Sequence, residues 1–445
     1  MRVLLYFAKR LFWFFFFTVI FGIQAWSNWP GLESTRGWAP KYWDLSWVIQ
    51  WSECFKEYGY EVYNYDSKNQ CTGYIYGNLL LRVLILTKIN VEQSEIIGHI
   101  NLVIICMTLS YIAYLYSSSY KVNRVFLGLV FCSPGIWLLI ASGNFDSLMF
   151  FLIFSGALSL AKGKISAAAV FFTLGSLIKF YSLPLILLLF LYVRRRVQFY
   201  VISFFFSVSL FFTLLDLGRT TSRSPGPGNY FFTFGVQNFG TWVELLNYKI
   251  TGNYFELNPI YIYAIGICSS LILITLIYVL LSRKKSPLLD SKQMFQGDPK
   301  MEILFVFFSA TYLALFFQGT NYDYKLIFYI VAFLSLFVSR NFTVLKTFLS
   351  SIFLLSLWLT CFSFGLKSSF YPTVQISTVF TIIEFLGDVL NLIITSLLFL
   401  SLSSVLIRKI RAIILAPSEK SSLATVIFSR SRKKKLWNFF ENLVS

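Results

Sequence analysis

The chain has 445 residues, 57% of them hydrophobic, 20% aromatic and only 13% charged, with a mean hydropathy of +0.68. That balance excludes a soluble domain of this size. The formal net charge of +18 would suit nucleic acid, but its placement argues against it: the cations gather at Arg2, Lys9 and Arg10, at Arg194 to Arg196, at Arg283 to Lys285 and at Arg430 to Lys435, in short loops and tails that alternate with apolar segments. This is the positive-inside pattern of a membrane protein, and it puts both termini in the cytoplasm.

A crossing needs about 20 apolar residues, and helices are required because hydrocarbon offers no partner for open backbone groups. The expected fold class is therefore an all-α polytopic membrane protein of about twelve transmembrane helices with a large first extracytoplasmic loop. The first span is Leu11–Trp26. Its basic start and apolar core are like a signal peptide, but the small-residue cleavage pattern is poor, so it reads as an uncleaved first helix. A polar outer loop, Ser27–Tyr76, follows at once. Asn78–Thr87 is too short to cross and reads as an interfacial helix. The next spans are Ile96–Tyr116, Val125–Ser142, Ser147–Ala161, Ser166–Ile178, Pro184–Val193 and Tyr200–Leu215. A second outer loop, residues 216–258, is rich in Gly, Pro, Ser and Asn. Then come Tyr261–Leu281, a cytoplasmic linker Ser282–Lys300, Ile303–Phe317, Leu326–Val338, Thr347–Phe364 and Val389–Ile407. Residues 1–407 thus form one multi-span domain, and residues 408–445 a basic cytoplasmic tail that meets anionic headgroups.

Cys106, Cys132, Cys268 and Cys361 lie in apolar spans and read as packing residues. Cys54 and Cys71 share the first outer loop; they are either a disulfide or two free thiols, since spacing does not fix pairing. The one histidine, His99, begins a span without a partner and reads as an interfacial or packing residue rather than a ligand. The chain has no GxGxxG and no P-loop, so no soluble nucleotide cradle is expected.

Ionisable and polar residues recur at the outer ends of the spans. Asp44 stands in KYWDLSWVIQW, Asp146 in SGNFDS, Lys179 in LIKFYSLP. Arg219 and Arg223 open the second outer loop, and Tyr322, Asp323, Tyr324 and Lys325 form the GTNYDYK turn. Each also has a plain structural reading: Asp44 as a helix cap in a solvated loop, Asp146 as an N-cap, Lys179 as a snorkelling helix end, Tyr322 and Tyr324 as aromatic-belt residues. Together they point to chemistry. A carboxylate beside aromatic surface is suited to be a general base, and cations such as Lys179 and Lys325 to hold a phosphate as it leaves. Asp44 is the candidate catalytic residue; Asp146, Lys179, Arg219, Arg223, Tyr322, Asp323 and Lys325 are candidate substrate-binding residues. A lipid-phosphate substrate fits a site at the membrane edge.

Four stretches carry a resemblance: DLSWVIQWSECFKEYGYEVY, YIYGNLLLRVL, the segment from SGNFDS through LIKFYSLP to RRR, and GTNYDYKLIFY. With them the chain resembles the GT-C superfamily of membrane glycosyltransferases, and within it the DUF2029/GT87 mannosyltransferase-like family. Gly143-Asn144-Phe145-Asp146 stands where that family has Gly-Gln-x-Asn. The resemblance implies a hexosyltransferase in a bacterial inner membrane. It would take a polyprenyl-phosphate-linked sugar as donor and a glycan or lipid as acceptor, on the outer face. It also implies that Asp44 is the catalytic acid residue of the first outer loop and that Lys179 contacts the donor phosphate. No cofactor is assigned; a divalent cation is compatible with the chemistry, with no ligand set to name. Membrane lipids are expected partners and nucleic acid is not. Two other readings stand beside this one: a glycan polymerase or ligase of the O-antigen type, and a lipid or solute transporter.

Overall fold

A computed structural model describes residues 2–26, 42–59, 78–220, 233–234, 242–244, 247, 251, 258–283, 286, 294–295, 298–318, 321–322, 325–338, 343–359 and 378–415. Its helices are α1 (Arg2–Trp26), α2 (Trp43–Tyr58), α3 (Asn78–Leu86), α4 (Ser94–Tyr114), α5 (Arg124–Phe131), α6 (Pro134–Ser142), α7 (Asp146–Ala161) and α8 (Ile165–Ile178). They continue with α9 (Leu183–Leu189), α10 (Arg196–Thr220), α11 (Pro259–Arg283), α12 (Pro299–Gln318), α13 (Leu326–Phe337), α14 (Thr343–Leu359) and α15 (Thr378–Leu415). The strands described are two residues long: β1 (Thr233–Phe234) and β2 (Asn321–Tyr322), paired antiparallel with Thr233 opposite Tyr322.

Among the described residues, five helical stretches are long and apolar enough to cross a membrane: Val91–Ser119, Arg196–Leu215, Ile260–Arg283, Pro299–Phe317 and Phe385–Ile413. This is an α-helical membrane protein. A sixth crossing arises if α5 and α6 are taken as one, but they are bent by 47° at the break between them. The expected single span Val125–Ser142 is therefore a kinked pair. The cause is local: Pro134 stands in the first turn of α6, after an extended Ser133, and proline can neither donate an amide nor pack against the preceding turn. The remaining apolar helices are shorter, among them Asp146–Ala161, Ile165–Ile178 and Leu326–Phe337. At the far end α15 runs on to Leu415, past the tail boundary expected after residue 407.

Packing divides these helices into an inner and an outer set. In α13 every residue from Leu326 to Leu336 is buried, and α12 lies against it. Phe172 of α8 stacks on Phe307 of α12 at 4.8 Å, and Phe333 of α13 on Phe353 of α14 at 3.9 Å. Gly156 of α7 admits this arrangement, since a methyl group there would stand 2.5 Å from the Phe172 ring. By contrast α10 and α11 present Phe204, Phe211, Ile272 and Leu276 outward. In lipid such exposure is not penalised, so these apolar faces serve as the bilayer boundary.

Hydrogen bonds of tyrosine hydroxyls tie the inner helices together. Tyr116 meets Ser335 at 2.7 Å, Tyr312 meets Asn391 at 3.1 Å and Thr395 at 2.9 Å, and Tyr329 meets Ser356 at 3.1 Å. Cys54 is disulfide-bonded; Cys71 and Cys361 lie outside the described residues. Cys106, Cys132 and Cys268 are free thiols.

Candidate functional site

The site is assembled on α2, which lies between α1 and α3. It packs on α3 through Val48, Cys54, Leu80, Leu81 and Leu84, so the expected interfacial helix is its platform. Tyr42, just ahead of α2, takes a left-handed backbone with φ 56°. Its ring lies between Gly98 of α4 and Gly143 at the end of α6. A methyl group on Gly143 would come within 2.7 Å of the Tyr42 Cβ, and one on Gly98 would be closer still. Two glycines thus let one aromatic ring pin the loop helix onto the bundle. Gly143 also has φ +64°, the left-handed C-terminal turn that glycine adopts without steric penalty.

Asp44 is the second residue of α2 and is half-buried. It does not cap a solvated loop, as one reading of the sequence allowed: the cap position belongs to Tyr42. Its carboxylate Oδ2 accepts a hydrogen bond of 2.8 Å from the Asn144 Nδ2 amide. Burial pushes the Asp44 carboxyl above the ordinary carboxylate range, while the Asn144 amide, the Lys179 charge and the Ser142 hydroxyl pull it back down.

Asn144 is itself 1% exposed and its other amide atom is fully engaged. Oδ1 accepts from the Asp146 backbone N–H at 2.9 Å and from Lys179 Nζ at 3.1 Å. The first N–H of α7 is therefore satisfied by the Asn144 side chain, so the alternative reading of Asp146 as the cap does not hold. Instead the Asp146 side chain turns to the charge cluster. Its Oδ1 stands 2.9 Å from Lys179 Nζ and accepts from the Tyr181 hydroxyl at 2.5 Å. Asp146 Oδ2 is buried and has no hydrogen-bond partner among the described residues.

Lys179 follows the last turn of α8 in an extended conformation, φ −139° and ψ 126°, which aims its side chain inward. At 7% exposure it does not snorkel to a surface. It forms a buried ion pair with Asp146 and is bridged to Asp44 by one amide. A short turn, Phe180–Ser182, carries Tyr181 before α9 begins with Pro184 in its first turn. Lys325 precedes α13, half-buried. It lies within electrostatic reach of Asp146, Lys179 and Asp44, and burial pushes its ammonium down to about 8.

Further hydrogen bonds around this centre hold the turn. The Ser147 hydroxyl donates to Asn101 Oδ1 at 2.6 Å and stands 2.7 Å from the Asn144 carbonyl. His99 packs edge-on against Tyr42 and its Nδ1 lies 2.6 Å from the Glu95 carbonyl, a packing role as expected.

Asp44, Asp146, Lys179 and Lys325 are thus brought together. The backbone of Tyr322 pairs with that of Thr233. Arg219 lies in the last turn of α10, with its side chain outside the described residues; Arg223, Asp323 and Tyr324 lie outside them altogether. Asn144, Tyr181 and Asn101 had no role in the sequence reading. The signals for Asn144 were its place two residues before an acid in a Gly-containing turn and its position in the Gly143-Asn144-Phe145-Asp146 stretch of the resemblance, and for Tyr181 its place two residues after Lys179. Among the described residues no group of three or more His, Cys, Asp or Glu side chains is placed to hold a metal ion. Searches against protein-family models, curated proteins and solved structures found no match to this chain.

Proposed function

We propose that the protein is a GT-C-like glycosyltransferase that moves a sugar from a polyprenyl-phosphate donor to an acceptor hydroxyl at the outer face of a bacterial inner membrane. The observation that carries this reading is the meeting of Asp44, raised in basicity by burial, with Lys179 and Lys325 at one end of the helices. A base and two cations within one cluster are what a hydroxyl attack with phosphate departure requires. In the reaction, Asp44 takes the proton of the acceptor hydroxyl as its oxygen attacks the anomeric carbon. The bond from that carbon to the phosphate oxygen breaks, and polyprenyl phosphate leaves with the electron pair, its charge held by Lys179 and Lys325. Attack from the side opposite the leaving group inverts the anomeric centre.

The wider architecture belongs to the same reading. Both termini are cytoplasmic, and about twelve crossings result if the bent pair and each of the shorter apolar helices cross alongside the five long ones. The disulfide at Cys54 accords with an oxidising outer compartment for the loop helix. The lipid tail of the donor would run between helices from this edge, and the acceptor would be a glycan or a lipid.

The test is transfer from a synthetic polyprenyl-phosphate sugar by purified protein in liposomes, compared with Asp44→Asn. The substitution keeps the shape and removes the proton acceptor, so turnover falls by about 10²–10⁴-fold at unchanged folded content. Full activity in Asp44→Asn removes this mechanism. Transfer only from lipid-diphosphate oligosaccharides would assign the protein to the polymerase or ligase class instead.

A further inference from the structure

The amide of Asn144 is the geometric hinge of the cluster. It touches Asp44 with one atom and both Lys179 and the Asp146 N–H with the other, at 2.8, 3.1 and 2.9 Å. Two donors, an ammonium and a backbone N–H, converge on one atom of the amide, so that atom is the oxygen and the one facing Asp44 is the NH2 group. The residue is buried among helices, and its backbone carbonyl is held by Ser147 and Asn101. It therefore has neither room nor partners to flip.

We propose that Asn144 is the positioning residue of this site: its amide orients the Asp44 carboxylate and couples it to the Lys179–Asp146 ion pair. The proposal rests on the reading of Asp44 as the base. An amide that donates to a carboxylate stabilises its ionised form and fixes which oxygen lone pairs remain open toward a substrate. Because Lys179 holds the same amide from its oxygen side, a phosphate that draws on Lys179 also alters the hold on Asp44. Donor binding and base strength are linked through one side chain, 100 residues from the acid it serves.

The charged groups facing Asp44 from the surrounding elements are Lys179, Asp146 and Lys325, and all three residues are retained in the Asn144 variants. The experiment follows labelling of Asp44 by dicyclohexylcarbodiimide, which adds across a protonated carboxyl in an apolar site to give an N-acylurea that peptide mass spectrometry locates. Full-length protein in detergent is labelled across pH, without any sugar donor. In Asn144→Leu the labelling midpoint at Asp44 moves up by about one to two pH units, the size of a hydrogen bond to an ionised group. In Asn144→Ala, which removes the amide without adding bulk, it moves the same way.

A midpoint unmoved in either folded variant overturns the proposal. So does failure of both variants to fold where Asp44→Asn folds, since Asn144 would then be a structural residue and no more. Because labelling needs no substrate, an unmoved midpoint leaves the transfer reading standing. Absence of transfer by the wild-type protein, with the midpoint shifted in the variants, would remove the reaction and keep the coupling.

Discussion

Both ends of the helix bundle carry ion pairs, and they are built on opposite principles. At the end where α7 begins, Lys179 meets Asp146 with exposures of 7% and 0%, and Asp44 joins through an amide. At the other end, where α12 begins, Glu302 takes two cations from α15: Arg408, and Lys409 at 2.6 Å, with exposures of 30% and 18%. Tyr120 adds a 2.6 Å bond to Asp298 nearby, and Lys409 lies 4.1 Å over the Tyr192 ring. The second cluster has redundant partners and reaches water, so it is a tie between helices. The first has two acids, one bridging amide and a buried carboxylate oxygen with no hydrogen-bond partner among the described residues. Its charges are desolvated, and desolvation makes each of them expensive to leave alone. Groups held at such a penalty are candidates for function; groups held cheaply are ordinary anchors.

The sharpest way to break that comparison is to remove one partner at each end. Lys179→Met should strand Asp146 in a buried site and lower stability by about 3–5 kcal/mol. Glu302→Gln, at the hydrated end, should lower it by no more than about 1 kcal/mol. Denaturation of both variants in the same detergent measures the contrast, and equal losses would erase it.

A smaller effect is expected at the wedge that joins α2 to the bundle. Gly143→Ala puts a side chain on a left-handed residue, about 1–2 kcal/mol from backbone strain alone, and drives it toward Tyr42. The effect on transfer should exceed the effect on melting, because moving Tyr42 moves Asp44 two residues on. A loss of stability with full activity in the remaining folded protein would show that Tyr42 does not position the acid.

The smallest and most specific effect is on the pH profile. Asp44 must be ionised to accept a proton, so activity rises as pH passes its raised value. Lys325 holds a phosphate only while charged, and its ammonium is pushed down to about 8, so activity falls as pH rises through about 8. Lys325→Arg keeps the charge far above that range and should remove the alkaline limb. A wild-type profile that stays flat above pH 8 would take the Lys325 charge out of the reaction.

Much of the site's membership was legible before any fold. Asp44, Asp146, Lys179 and Lys325 stand out because ionisable residues at the ends of apolar segments are few, and the alternation of segments assigns them all to one side. Their geometry was not legible. Asn144 stood in a stretch of the resemblance, but nothing in that stretch assigned it a role: an amide in a turn looks like any turn residue until its neighbours are known. Asp146 was read with equal ease as a helix cap, and only the Asn144–Asp146 backbone bond shows that the cap is the neighbour. The span list met the same limit. Mean hydropathy over a window does not register a proline kink, so Val125–Ser142 read as one helix although Pro134 splits it.

The sequence alone determined the solvent this protein lives in and the helical form of its backbone, because both follow from quantities that add along the chain: apolar length, and the need to satisfy amides without water. It also determined that charges sit at segment ends. Tertiary structure alone decided which ends meet. Asp44 and Asn144 are 100 positions apart, and what joins them is a tyrosine ring seated against two glycines from different helices. That contact depends on shape and on pairs of residues, and no sum along the chain contains it.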